Sequence, residues 1–266
     1  MNAIELVTFD LYDTLIELVP PRWDRMAAAL DRTDVVADLD LLRLGDVVAQ
    51  DYWTEENTVQ PIRDRGPAGL LAVRNEYVRR WLAFAGVDLT ADEVDLVRAE
   101  YRAEYDQHAQ IAVPGLVAGY RTFPDVNRTM QRLRAAGIKV AVISNADSDV
   151  TEFCKQLQFA HEMDLIVTSA IVGYEKPDVR TYFAALDPLD VRPENGLHIG
   201  DQPRSDVVGA LASGMQAALI DRYELHDPST HEVPVFVNLD ELVEYVFEVN
   251  ASVGVTARSV WCPPMW

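Results

Sequence analysis

The sequence predicts an α/β fold: a doubly wound parallel sheet with an inserted all-helical domain. Short apolar runs alternate with helix-like stretches in the C-terminal half, a pattern typical of parallel strands joined by helices. The alternation disappears between Leu15 and about Pro114, where only helical patterns remain. We therefore expect an α/β core at 1–17 and 115–250, a helical insertion at 18–114 and a C-terminal tail at 251–266.

The first strand is expected at 4–9, because the run is short, apolar and rich in β-branched residues. The next strand follows a helix in which Val126, Met130 and Leu133 recur at helical spacing and which Gly137 should end. The later strands are expected at 138–143, 163–169, 197–201, 216–221 and 235–238, with helices around 179–186 and 206–212 and an amphipathic helix from 239.

The insertion and the tail differ from this core in composition. Helical patterns in the insertion are broken at Pro61, at Gly66 with Pro67, and at Gly86. The tail has no periodicity but carries Trp261 and Trp266. The tail is either a loosely ordered end or a segment whose two indole rings cover an apolar patch on this chain or on a second copy. A homodimer is therefore one of the open alternatives.

Composition excludes several classes of function. The 266 residues carry a formal charge of −20, which repels nucleic acid and anionic lipid. We find no apolar run of membrane-spanning length, no signal-peptide pattern and no dinucleotide fingerprint. Cys154 and Cys262 lack metal-site spacing. We expect a cytoplasmic protein with neither a nucleic-acid nor a membrane partner.

Polar residues end several of the predicted strands, and the carboxyl ends of parallel strands converge on one crevice. Three carboxylates crowded there would repel one another unless a cation shares them, and oxygen ligands suit Mg²⁺. A lysine and a serine beside them could hold phosphate oxygens, and an aspartate can attack phosphorus. The converging residues are Asp10, Ser144, Asn145, Lys176, Asp201 and Asp206.

Four segments, FDLYDTL, VISN, GYEKPD and HIGDQPRSD, together resemble the four signature motifs of the haloacid dehalogenase (HAD) superfamily. The insertion resembles the helical C1-type cap of its subfamily I, and the fourth motif resembles that of its phosphatases. This resemblance implies a Rossmann-like core and a Mg²⁺-dependent phosphoric monoester hydrolase. Its substrate would be a small phosphorylated metabolite, cleaved through an aspartyl-phosphate intermediate.

The resemblance also implies which residues bind the metal. Asp10 would be both the nucleophile and a metal ligand. The backbone carbonyl of Tyr12 and the carboxylate of Asp201 would be further ligands, and Asp206 would support the metal or its waters.

Phosphate binding and loop geometry are implied in the same way. Ser144 and the amide of Asn145 would bind phosphate, and Lys176 would pair with phosphate and with Asp10. Thr14 would orient the loop that carries the nucleophile.

Tyr12 departs from the phosphatase pattern. Most phosphatases of this superfamily have a second aspartate two residues after the nucleophile, as general acid and base, whereas here an aspartate follows one place later, at Asp13. A one-residue shift moves the side chain to another face of the loop. Tyrosine is familiar at this position in 2-haloacid dehalogenases, but those enzymes lack the metal-binding aspartate that this sequence keeps at Asp201.

Several alternatives stay open. The proton could come from Asp13 or from Asp24, Glu55 or His108 in the insertion, or the leaving group could need none. A 2-haloacid dehalogenase, a phosphomutase, and a catalytically impaired regulatory or binding protein are the rival functions. The cap should select the substrate and exclude macromolecules, with candidate contacts at Arg22, Trp23, Tyr52, Trp53 and Arg63.

Overall fold

The computed structural model describes residues 2–111 and 113–254. The strands are β1 Leu6–Phe9, β2 Ile16–Leu18, β3 Tyr120–Thr122, β4 Lys139–Ser144, β5 Leu165–Thr168, β6 Gly196–Gly200, β7 Gln216–Ile220 and β8 Val235–Phe236. The helices are α1 Arg22–Asp31, α2 Leu39–Val59, α3 Gly66–Phe84, α4 Ala91–Ala109, α5 Val126–Ala135, α6 Thr151–Gln156, α7 Ser169–Val172, α8 Val179–Leu186, α9 Val208–Ala212 and α10 Leu239–Ser252.

The chain forms two compact units. One contains the residues up to Leu15 and from Thr122 onward, and the other contains residues 16–121. The division therefore falls outside the expected limits of 18 and 114. The reason is a two-stranded sheet of β2 and β3, which the sequence patterns did not reveal and which stands where the chain enters and leaves the insertion.

The described residues of the first unit contain a six-stranded sheet in the order β5-β4-β1-β6-β7-β8. All five neighbouring pairs are parallel, which confirms the predicted fold class. Residues 6–9 of β1 are fully buried, as expected for a central strand covered on both faces. Because β1 lies between β4 and β6, the residues that follow these three strands meet at one edge.

The first strand starts two residues later than predicted. Ile4 is buried, but its backbone pairs with a side chain of α10 instead of a neighbouring strand: its amide donates to Asn250 Oδ1 at 2.7 Å, and Asn250 Nδ2 donates to its carbonyl at 3.0 Å. An apolar pattern reports burial, and it cannot tell which partner satisfies the backbone.

Helices cover the sheet. Tyr182, Ala185 and Leu186 of α8 join Ala210 of α9 in a buried cluster with residues of β1, β4 and β5. Elsewhere α5 lies beside α10, joined by ion pairs from Arg128 to Asp240 and from Arg132 to Glu244. The predicted apolar stripe of α5, Val126, Met130 and Leu133, is fully buried, and Gly137 follows the helix with φ +80°.

The insertion has a core of its own, centred on the indole of Trp81. Trp81 is fully buried, packs with residues of α1, α2 and α4, and donates from Nε1 to the carbonyl of Leu42 at 2.6 Å. The predicted breaks match the helix ends, since Pro61 follows α2, Gly66 begins α3 and Gly86 follows it. No helix in the described ranges combines the length and apolarity needed to cross a membrane.

Cys154 is a free, buried thiol in α6. Cys262, Trp261 and Trp266, the notable residues of the tail, lie outside the described residues.

Candidate active site

Three carboxylates gather at the carboxyl ends of the strands. Asp10 directly follows β1, Asp201 directly follows β6, and Asp206 lies in a turn of π-helical geometry, Pro203–Val207, that precedes α9. One ligand oxygen from each lies within 4.8 Å of the others, and the described residues offer no second such group. An all-carboxylate set of this kind fits a hard divalent cation such as Mg²⁺.

Lys176 is the cation that the structure itself places among these carboxylates. Its side chain is 1% exposed, and Nζ donates to Asp10 Oδ1 at 2.5 Å and to Asp206 Oδ1 at 2.6 Å. Burial alone would lower the pKa of Lys176, but the two carboxylates raise it above its ordinary value. Lys176 is therefore a permanent ammonium group at neutral pH.

The two carboxylates bound to Lys176 are not equivalent. Burial would raise the pKa of Asp206, but Lys176 and His198 hold it well below its usual range. Burial and the charge of Asp206 raise the pKa of Asp10 to about 7, although Lys176 opposes this rise. A bound divalent cation would add positive charge here and lower the pKa of Asp10.

The side chain of Asn145 forms two hydrogen bonds with the backbone of Lys176. Its Nδ2 donates to the Lys176 carbonyl at 2.9 Å, and its Oδ1 accepts from the Lys176 amide at 2.8 Å. This pair joins the loop after β4 to the loop after α7, two segments 31 positions apart. The expected role of the Asn145 amide in binding phosphate stays a prediction. Its side chain has a separate role, which is to bind the backbone of Lys176.

Ser144, the last residue of β4, is fully buried. Among the described residues its Oγ has no hydrogen-bond partner. A buried hydroxyl without a partner costs about 1–3 kcal/mol, so this oxygen is suited to a ligand that arrives with its own acceptors or donors. Phosphate is such a ligand.

Thr14 ends the loop that follows Asp10, and Arg222 holds its backbone. Arg222 donates to the Thr14 carbonyl from Nε at 3.2 Å and from Nη2 at 2.7 Å. The same guanidinium binds Asp125 at 2.6 and 3.1 Å and lies over the ring of Phe123 at 4.2 Å. The hydroxyl of Thr14 has no hydrogen-bond partner among the described residues.

Tyr12 is partly buried in the same loop. Burial first, then the charges of Asp10, Cys154 and Asp147, raise the pKa of Tyr12 to about 12. The phenol therefore keeps its proton at every physiological pH and cannot serve as a general base.

Asp13, the first alternative proton donor, is buried in the same loop as Tyr12. It is 6% exposed, has φ +55°, and accepts a hydrogen bond from Tyr223 Oη at 3.3 Å. The left-handed backbone is one that aspartate tolerates. The other candidates, Asp24, Glu55 and His108, belong to the second unit.

The candidate substrate contacts in the insertion differ in their surroundings. Arg22 pairs with the buried Asp46 at 2.9 Å, and Tyr52 is buried with Arg80 over its ring at 4.2 Å. Trp53 packs edge to face on Tyr77. Trp23 is partly buried and Arg63 is exposed.

Sequence reasoning missed three residues that build this site. A Cβ on Gly200 would lie 2.2 Å from Cγ of Asp206, so glycine is required for that carboxylate to lie against the end of β6. Thr8 and His198 are fully buried and form hydrogen bonds behind Asp206. A polar residue inside an apolar strand was the available signal for both.

Most of the chain matches a known protein family. The family model described as haloacid dehalogenase-like hydrolase matches residues 4–214. The chain therefore belongs to the haloacid dehalogenase-like hydrolases, and the resemblance drawn from the four motifs is confirmed.

Individual relatives place the chain within this family. It is 30% identical over 148 residues to haloacid dehalogenase-like hydrolase domain-containing protein 3 of Bos taurus, an alignment that covers 52% of this chain and 59% of that protein. It is 31% identical over 246 residues to the phosphoglycolate phosphatase of Pseudomonas putida, covering 89% of this chain and 76% of the relative.

A crystal structure of a predicted phosphoglycolate phosphatase from Haemophilus somnus shares the fold. Its TM-score is 0.60 at 16% identity, and the match covers 92% of this chain and 99% of that one.

Proposed function

We propose that this protein is a Mg²⁺-dependent phosphatase that hydrolyses a small phosphorylated metabolite through an aspartyl-phosphate intermediate on Asp10. The observation that carries the proposal is the cluster of Asp10, Asp201 and Asp206, two of which pair with Lys176. The relatives named as phosphatases support the same class of substrate. The 2-haloacid dehalogenases considered above lack the metal-binding aspartate, whereas Asp201 is part of this cluster.

The nucleophile is prepared by its neighbours. Lys176 holds one oxygen of Asp10 at 2.5 Å, which leaves the other oxygen to form a bond to phosphorus as the bond from phosphorus to the ester oxygen breaks. Water then attacks phosphorus, the bond to Asp10 breaks, and inorganic phosphate leaves. Dividing the reaction into two displacements replaces one difficult step by two easier ones.

The phosphate would be held by groups already at this edge. Ser144 Oγ offers a buried hydroxyl, and the ammonium of Lys176 offsets negative charge. Fixed donors placed before the substrate arrives do not have to reorganise during the reaction, which is the main source of electrostatic stabilisation in such sites.

The metal would be held by Asp10 and Asp201, with Asp206 beside them and the carbonyl of Tyr12 as the further expected ligand. When bound, Mg²⁺ would supply positive charge that neutralises the phosphate oxygens. Its charge would also lower the pKa of Asp10 from about 7, so that the carboxylate is ionised and nucleophilic at neutral pH.

The leaving oxygen lacks the aspartate that usually protonates it. Tyr12 carries a proton but, with a pKa of about 12, is a weak acid. We infer that the substrate has a leaving group that needs little assistance, such as an acyl or aryl phosphate.

The test is hydrolysis of an aryl phosphate by the purified protein with Mg²⁺ and with EDTA, beside Asp10→Asn and the control Asp88→Asn. Asp88 is an exposed carboxylate in the insertion. We expect activity that requires Mg²⁺, falls by about three orders of magnitude or more in Asp10→Asn, and is unchanged in Asp88→Asn.

The rival functions give different results. Chloride release from 2-chloropropionate in EDTA would establish a dehalogenase. Absence of turnover on aryl, acyl and alkyl phosphates, together with tight binding of one of them, would favour a binding protein.

A further inference from the structure

Thr8 and His198 lie behind the carboxylate cluster, on two neighbouring strands. They are paired in register, since Thr8 of β1 faces His198 of β6, and both are fully buried. His198 Nδ1 lies 2.8 Å from Thr8 Oγ1, and His198 Nε2 lies 3.2 Å from Asp206 Oδ1. A chain of hydrogen bonds therefore runs from Thr8 through the imidazole to Asp206.

The hydrogen-bonding capacities of Asp206 and Thr8 determine which ring nitrogen of His198 carries the hydrogen. An ionised carboxylate only accepts hydrogen bonds, so Nε2 has to carry a hydrogen. With the hydrogen on Nε2, the Nδ1 of a neutral ring has a lone pair that faces Thr8 Oγ1, 2.8 Å away. The hydroxyl of Thr8 is the donor that this nitrogen needs, and its other acceptor, the carbonyl of Leu197, is more distant at 3.4 Å.

Asp206 is thereby fixed at both oxygens. Oδ1 accepts from Lys176 Nζ and His198 Nε2, and Oδ2 accepts from the amide of Gln202 at 3.0 Å. The absence of a side chain at Gly200 gives the carboxylate its place. Asp10 accepts from the same Lys176.

We propose that Thr8 and His198 are positioning residues that hold Asp206 in the orientation the metal site requires, with Thr8 selecting the Nε2–H tautomer of His198. This inference rests on the proposed function for its metal and concerns residues that touch neither metal nor substrate. Groups behind the ligands of a metal commonly change its affinity by about 10–100-fold when they are removed.

The decisive variant is Thr8→Val, which keeps the shape and removes the donor. With no hydroxyl on Nδ1, the other tautomer becomes accessible, and its bare Nε2 would face the carboxylate and repel it. The matched control is Thr129→Val on α5, because Thr129 is equally buried and its hydroxyl has no hydrogen-bond partner among the described residues. His198→Asn is compared with His161→Asn, an exposed histidine.

Two readouts separate positioning from simple packing. Nitrogen-15 NMR of the full chain should show His198 as the Nε2–H tautomer, with the Nδ1–H form gaining population in Thr8→Val. Binding of Mn²⁺, followed by its electron paramagnetic resonance signal, should weaken about tenfold or more in Thr8→Val and His198→Asn and stay within about twofold in Thr129→Val and His161→Asn. Circular dichroism checks that each variant is folded.

The outcomes are distinguishable from those of the proposed function. A native Nδ1–H tautomer, or a Thr8→Val protein that binds Mn²⁺ as the native one does, overturns this inference while leaving the phosphatase intact. Native protein that binds Mn²⁺ in a Thr8-dependent way but hydrolyses no phosphate ester supports the inference and overturns the phosphatase. Native protein that binds no Mn²⁺ overturns both.

Discussion

Tyr12 stands at the position where the motif resemblance led us to expect a carboxylic acid, and its chemistry limits what it can replace. Its pKa of about 12 excludes a base at neutral pH. The nearest acid in sequence, Asp13, is engaged by Tyr223 at 3.3 Å from a left-handed backbone. At the scale of single residues, substitutions of Tyr12 test whether the proposed hydrolysis needs a proton donor for the leaving oxygen.

Replacing Tyr12 by aspartate should introduce a carboxylic acid at the position where the motif resemblance places a general acid. General acid catalysis contributes about 10²–10⁴-fold, and its benefit is greatest for a poor leaving group. We expect Tyr12→Asp to raise kcat about tenfold or more on an alkyl phosphate, with a smaller gain on an aryl phosphate. Steady-state release of inorganic phosphate from the two esters measures this difference.

Tyr12→Phe is the matched control, since it removes only the hydroxyl. If the phenol has no part in proton transfer, both esters should be cleaved within about threefold of the native rate. A large loss confined to the alkyl ester would instead identify Tyr12 as the acid and contradict our interpretation.

At the scale of elements, Arg222 and Asp125 connect the segments around the loop that follows Asp10. Arg222 lies just after β7 and holds the Thr14 carbonyl. Asp125, just before α5, binds Arg222 and also accepts from the amide of Leu239 at the start of α10. The two side chains are 5% and 10% exposed, so neither charge is well solvated without the other.

Asp125→Asn should destabilise the protein by about 3 kcal/mol at pH 7, because it leaves the Arg222 charge buried and without its ion pair. The control is Asp240→Asn, which removes one partner of the exposed Arg128 pair and should cost at most about 1 kcal/mol. Urea unfolding measures both changes in free energy. Equal losses of unfolding free energy in the two variants would show that the buried ion pair stabilises the fold no more than the exposed pair does.

The effect should also depend on pH with a definite sign. Burial would raise the pKa of Asp125, but the bonds from Arg222 and Leu239 hold it below its usual value. A lowered pKa stabilises the fold above the unfolded pKa of about 3.9, and this contribution is lost as pH falls through the lower, folded value. The difference between native and Asp125→Asn should therefore shrink below about pH 4.

At the scale of the whole molecule, the charge of −20 opposes compaction. Self-repulsion of a strongly charged chain destabilises its folded form, and salt screens it within about 10 Å at 0.1 M. We expect Tm to rise with NaCl between about 0.02 and 0.5 M, by about 2–4 °C for each 1 kcal/mol of repulsion relieved. Differential scanning calorimetry measures the trend.

A variant with three exposed acids neutralised, Asp88→Asn, Glu232→Gln and Glu248→Gln, provides the comparison. It should start from a higher Tm at low salt and respond less to NaCl. A Tm that is flat or falls with salt in the native protein would show that local ion pairs outweigh the net charge.

The fold class and the candidate site were largely predictable because both are local properties of the sequence. Strands covered on both faces are read as continuous apolar runs, and residues that follow parallel strands meet at one edge whatever the details of the sheet. Asp10, Lys176, Asp201 and Asp206 could therefore be assembled before any coordinates. Element boundaries were less accurate, as Ile4 shows, because apolarity does not name a hydrogen-bond partner.

The sequence by itself determined the parallel α/β sheet, the early insertion and the identity of the converging polar residues. Only the tertiary structure decided that Thr8 bonds His198, that Arg222 holds Thr14 and that Asp13 meets Tyr223, pairs separated by 190, 208 and 210 positions. Strand register and loop geometry set these contacts, and both arise from packing of the whole unit. No periodicity within a short stretch of chain records them.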